Sequence, residues 1–175
     1  MIGLYWHRVS GCVAAMLVVL LLVSGCSAVR PSPILTASFD PQAAAFIHAS
    51  GKARVSGQAV VRRNNDRLLR ATGTDVFLIP RTAYADARMA TLYGNGKKPR
   101  WGGTVPDAAP LYEQYMRTTI ASSGGSFSFD HVADGDYYVV AMIHVPSEVG
   151  FMQFPILDRV TVRGGTSVKL VMRGY

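Results

Sequence analysis

From Lys52 to Met172 the chain is a succession of short runs of β-branched and aromatic residues, each closed by glycine, proline, asparagine, aspartate or serine. No other feature limits the fold so strongly, because short apolar runs between turn clusters read as strands. Val55, Val60 and Val61, around Ser56-Gly57, mark a strand at about 53–62. Asn64-Asn65-Asp66 marks the turn after it, since these short side chains tolerate left-handed backbone. Val76-Phe77-Leu78-Ile79-Pro80 is a second strand ended by proline. Thr118–Ala121, Ser126–Phe129, Asp136–Val145, Asp158–Arg163 and Thr166–Met172 follow, with Phe151–Phe154 as a further pairing segment. Gly164-Gly165 has the composition of a two-residue hairpin turn. About seven strands with regular turns predict an all-β sandwich.

Side-chain alternation assigns faces. Phe127 and Phe129 lie two apart and share one, which should be the core. In Asp136–Val145 the same rule is read as placing Tyr138 and Val140 inward, with Tyr137 and Val139 on the other face. One segment changes period. Tyr84, Ala87, Arg88 and Thr91 or Leu92 fall at helical spacing, Thr82 is a cap, and Gly94-Asn95-Gly96 a stop. Lys97–Asp107 reads as a loop with two prolines, two glycines and three basic residues, and Pro110–Arg117 fits neither period. The sandwich thus carries an insertion at about 82–117 with one short helix. Ala43–His48 suits either a strand or a helical turn.

The N-terminus sets the compartment. His7 and Arg8 precede an apolar run, Val9–Val23, of about 15 residues, shorter than the roughly 20 of a spanning helix. A basic start, an apolar core and small residues before a cut site describe a signal-peptide helix over 1–25. Val23-Ser24-Gly25-Cys26 resembles the lipobox of bacterial lipoproteins. The resemblance implies cleavage between Gly25 and Cys26, with Cys26 carrying acyl chains. More than one chain makes such an anchor stable. Ser27, rather than aspartate, resembles the outer-membrane sorting class. Pro31, Pro33 and Pro41 make 26–42 an extended tether, leaving 43–175 as the domain.

Three pieces of that domain resemble the carboxypeptidase regulatory-like domains: Gly57-Gln58-Ala59-Val60, Val76-Phe77-Leu78-Ile79-Pro80 with Thr82 and Tyr84, and Gly125-Ser126-Phe127-Ser128-Phe129 followed by Gly135-Asp136-Tyr137-Tyr138-Val139. The resemblance implies a transthyretin-like, seven-stranded Greek-key β-sandwich without catalytic chemistry of its own. It spans about 53–145 and leaves the insertion as the place for a specific function.

Little reactive chemistry is written in the chain. Its two cysteines are Cys12, lost with the leader, and Cys26. His48, His131 and His144 lack ligand spacing, and Asp130, Asp134 and Asp136 read as turn acids bonded to backbone amides. There is no G-x-S-x-G elbow, no phosphate loop and no dinucleotide fingerprint. The expectation is a non-enzyme without cofactor or metal. Arg8 is the one charged residue of the leader, so 17 basic and 11 acidic residues remain, a net +6 suited to anionic envelope partners. Nucleic acid is not expected outside the cytoplasm. Two readings follow. One is an envelope module, anchored at Cys26, that faces the periplasm and acts through contact or support of an envelope protein. The other is a glycan- or lipopolysaccharide-binding module. Its candidate contacts are Trp101, Tyr112 and Tyr115, which can stack on sugar faces, with Lys97, Lys98 and Arg100 in the basic loop.

Overall fold

The computed structural model describes residues 35, 37–63, 67–94, 96, 97, 99 and 107–174. The predicted signal-peptide helix, Gly25 and Cys26 lie outside them. The described chain is a β-sandwich of two sheets with short helical segments. Eight strands form it: β1 (Ser50–Arg62), β2 (Leu68–Arg70), β3 (Asp75–Pro80), β4 (Arg117–Ile120), β5 (Ser126–Val132), β6 (Gly135–Ser147), β7 (Gly150–Val162) and β8 (Val168–Gly174). Seven were expected. The extra one, β2, is a three-residue partner of the end of β1, too short to show a period.

Sheet 1 is built on β1. Strands β5 and β2 lie antiparallel along one edge of β1, and β8 lies parallel along the other. Sheet 2 has the order β4-β3-β6-β7, antiparallel throughout. Strand β7 is continuous through Pro155 rather than two pairing segments. It lies at the sheet edge, where a residue without an N–H can sit without breaking the ladder.

Connections β4–β5, β5–β6 and β7–β8 each cross from one sheet to the other. The predicted hairpin at Gly164-Gly165 is therefore an arch. Both glycines take left-handed backbone, φ 60° and 67°, and the Asp134 carboxylate accepts their N–H groups at 2.5 and 2.9 Å. A Gly-Gly turn serves a hairpin and an arch equally well; the pairing of β8 with β1 decides.

The main core lies between the sheets. It takes Val55, Ala59, Phe127 and Phe129 from sheet 1, and Val76, Leu78, Tyr137, Val139, Ala141 and Ile143 from sheet 2. A second cluster lies on the outer face of sheet 2, where Ile79, Tyr138, Val140 and Leu157 meet helix α2 (Ala83–Tyr93). The predicted faces of β6 are thus exchanged: Tyr137 and Val139 face the partner sheet, Tyr138 and Val140 the helix. Both faces of β6 are buried, so apolar residues fill nearly every position and alternation cannot tell the faces apart.

The inserted helix forms as its flanks predict. Thr82 Oγ1 accepts the N–H of Ala85 at 3.2 Å, and Gly94, at φ 60°, ends it. Asp86 ties it to sheet 2, accepting from Arg81 at 3.1 and 3.2 Å and from the Tyr138 hydroxyl at 2.7 Å. Burial alone would raise the Asp86 carboxyl. The hydrogen bonds from Arg81 and Tyr138, and the charges of Arg81 and Arg159, outweigh it and hold the group below its ordinary value. A carboxyl lowered by folding stabilises above its unfolded range, near pH 4, and loses that contribution as pH falls through the folded value. Denaturation between pH 7 and 2 should show a steeper acid loss in wild type than in Asp86→Asn. Parallel curves would contradict the network.

The N-terminal boundary moves. The helical turn α1 (Pro41–Ala44), capped by the Asp40 carboxylate, runs into a 3-10 turn at Ala45–His48, which settles the open choice over that segment. Leu35 and Phe39, read as tether, are docked on the second cluster. Phe39 meets Tyr84, Tyr112 and Tyr115 edge-on, at centroid distances of 5.5, 5.5 and 5.4 Å. These rings offer an apolar seat that a proline count does not reveal. Among the described residues no helix is long and apolar enough to cross a membrane.

Candidate functional site

Strands β4 and β5 are consecutive in the chain but belong to different sheets, each at an edge. Between them the sandwich opens into a shallow cleft of about 480 Å³, lined also by the segment Ile47–Ser50 that leads into β1. That volume is within the range of small-molecule sites. Its walls are polar. Thr118 and Thr119 come from β4, Ser128 and Asp130 from β5, and Ser50 from β1.

Arg117 is the fixed centre. Its Nη2 donates to the Asp130 carbonyl at 2.6 Å and its Nη1 approaches the His131 carbonyl at 3.5 Å. The guanidinium lies 5.9 Å from the centre of the Phe129 ring. A guanidinium carries five N–H donors, so donors remain for a ligand. Being seated in advance, it gives up little conformational freedom on binding.

His131 is placed by a bulge. It has φ 55°, left-handed backbone that side-chain-bearing residues seldom adopt. The pairing of β1 with β5 shifts register between Ser50 and Val55, opposite this segment. Asp130 and His131 are consequently both exposed, and the inward position passes to Val132. Re-aiming a side chain is a common effect of bulges beside functional sites. Tyr137 steadies the adjoining arch. Burial pushes its phenol up to about 12, so it stays protonated and donates to the Ala133 carbonyl at 2.8 Å.

His48 lines the cleft from the other side, its ring edge-on to Tyr115 at 4.9 Å. The cleft therefore combines a seated cation, two imidazoles, several hydroxyls and the edges of aromatic rings. Among the described residues no hydroxyl or carboxylate is hydrogen-bonded to either imidazole. No group of three or more His, Cys, Asp or Glu among them is placed to hold a metal ion. The turn acids have other work: Asp130 pairs with Arg54, Asp134 holds the glycine arch, and Asp136 accepts from Thr161 at 2.6 Å and Arg163 at 3.0 Å.

The residues singled out from sequence are dispersed. Tyr115, half-buried in the 3-10 turn Tyr112–Tyr115, adjoins the cleft through His48. Tyr112 does not face it. That ring is 3% exposed beneath α2, its hydroxyl has no partner among the described residues, and burial raises its pKa. It cannot offer a stacking face to a sugar. Lys97 belongs to the opposite edge of sheet 2. Its Nζ pairs with Asp158 at 2.9 and 3.0 Å, and its carbonyl accepts the N–H of Leu157. Three strand spacings, about 14 Å, separate that edge from β4. Lys98, Arg100 and Trp101, like Gly25 and Cys26, lie outside the described residues. Arg117, His131 and His48 were not anticipated. One clue was available. In Ser126-Phe127-Ser128-Phe129-Asp130-His131-Val132 strict alternation would bury His131, yet Val132 is the apolar residue, which signals an inserted position.

No protein-family model matches the chain, and no curated protein matches it. A solved structure from Pseudomonas aeruginosa, described as a "putative carbohydrate binding protein", shares the fold with a TM-score of 0.63. The two are 22% identical over 79% of this chain and 99% of that one.

Proposed function

We propose that this chain is a non-catalytic glycan-binding module of the cell envelope, and that the β4–β5 cleft is its sugar site. The observation that carries the reading is the seated Arg117 in a cleft of hydroxyls, imidazoles and ring edges. Sugars are bound by charge-assisted hydrogen bonds to their hydroxyls and by contact of their C–H faces with rings. The fold shared with the structure described as a "putative carbohydrate binding protein" adds support. An array of bacterial envelope glycans, including peptidoglycan and lipopolysaccharide fragments, tests it with the purified protein. Saturable binding to at least one class is expected; an array with no binding removes the reading.

The same proposal places the module on a lipid anchor at Cys26, at the outer membrane and facing the periplasm. Val23-Ser24-Gly25-Cys26 supports this. Cys26→Ser should move the protein from the membrane fraction to the soluble envelope fraction. Retention in the membrane with unchanged gel mobility would rule out the anchor.

A further inference from the structure

The outer face of sheet 1 is basic. Along β1 its outward residues are Lys52, Arg54, Ser56, Gln58 and Val60, all exposed or half-buried. Register places Lys169 and Ser128 on either side of Ser56, Val171 and Ser126 on either side of Gln58, and Arg173 and Arg70 on either side of Val60. Lys52, Arg54, Arg70, Lys169 and Arg173 are exposed, whereas the one carboxylate on these rows, Asp130, is paired with Arg54. No described carboxylate forms an ion pair with Lys52, Arg70, Lys169 or Arg173. From Lys52 to Val60 the cations extend over about 27 Å at strand rise.

This face is continuous with the cleft, because Ser128 and Asp130 of β5 belong to both. Its centre, Ser56, Gln58, Ser126 and Ser128, carries hydroxyls and an amide that suit sugar hydroxyls. Among the described residues its exposed large apolar side chains are Val171, between Lys169 and Arg173, and Leu68, opposite Arg62, so each stands beside basic residues. Leu35 and Phe39 bring the N-terminal segment into the domain on the opposite layer, against the outer face of sheet 2.

We infer that the outer face of sheet 1 binds an acidic polysaccharide, whose repeating carboxylates lie along Lys52, Arg54, Lys169, Arg70 and Arg173 while one of its sugars occupies the cleft. The inference rests on the glycan reading of the cleft and names the ligand class: a linear, negatively charged glycan. Attraction between exposed charges is screened by salt, so binding should weaken steeply as ionic strength rises.

The test titrates the full chain with polygalacturonate, with neutral dextran of matched length, and with phosphatidylglycerol vesicles. Two variants accompany wild type: Arg70→Gln/Lys169→Gln/Arg173→Gln on the face and Arg117→Gln in the cleft. The face positions are exposed, and circular dichroism checks that the triple variant is folded. Polygalacturonate should bind wild type in preference to dextran and to vesicles, and the triple variant should bind it at least tenfold more weakly. Equal binding by the triple variant, no binding by wild type, equal binding of dextran, or preference for vesicles would each overturn the inference. If the cleft reading alone is wrong, Arg117→Gln will bind polygalacturonate as wild type does while the triple variant still loses it.

Discussion

Phe129→Ala should lower the free energy of unfolding by about 3–5 kcal/mol, the cost of emptying a buried aromatic site. Phe129 is 3% exposed, points between the sheets from β5, and meets Phe127 edge-on at a centroid distance of 6.2 Å. Strand β5 is an edge strand pairing only with β1, so inward side chains supply most of what holds it to the sandwich. The ring also underlies the Arg117 guanidinium, so the loss should reach the cleft as well as the core. Urea denaturation of both proteins measures the effect. A loss below about 1 kcal/mol would mean that the ring is not a packed part of the core.

Gly51→Val should be nearly as damaging, by a different route. A Cβ on Gly51 would lie 1.9 Å from the Val132 carbonyl oxygen, 2.3 Å from its carbon and 2.5 Å from the Ala133 Cα. All three are backbone atoms, so no rotamer change relieves the overlap, and β1 must move away from the end of β5. Over-packing ordinarily costs about 1–3 kcal/mol, and this contact belongs at or above the top of that range. Gly124→Ala is the control. Its Cβ would meet nothing nearer than 3.8 Å, and stability should change by less than about 0.5 kcal/mol. Thermal melts that fall equally for both variants would contradict the close approach at Gly51.

Phe127, Phe129, Thr82 and Gly94 carry a local signature that the structure matches, whereas the placing of Tyr137, Tyr138 and the Gly164-Gly165 turn depends on distant pairing. Phe127 and Phe129 declared their shared face because the opposite face of β5 is polar. Tyr137 and Tyr138 did not, since sheet 2 has cores on both sides and β6 has no polar face in its central stretch. Thr82 and Gly94 bound helix α2 through contacts a few residues away, which sequence displays directly. Gly164 and Gly165 turn the chain as expected, but whether into a hairpin or an arch is settled by β1, more than a hundred residues earlier.

The candidate site was less legible for the same reason. Arg117 and His131 meet because an edge of each sheet happens to face the other, and no spacing rule encodes that. Aromatic rings in a loop can stack on sugars, yet Tyr112 belongs to a buried cluster of tyrosines that seats the inserted helix. Tyr115 alone among the described candidates adjoins the cleft.

Calorimetric titration of wild type and Arg117→Gln with the tightest glycan found on the array tests the β4–β5 cleft most directly as the sugar site. Hydrogen bonds to a charged group contribute about 1.5–3 kcal/mol, so the variant should bind with roughly 10- to 150-fold weaker affinity, with folding unchanged. Equal affinity of the two proteins for that glycan would show that the β4–β5 cleft is not where the sugar binds.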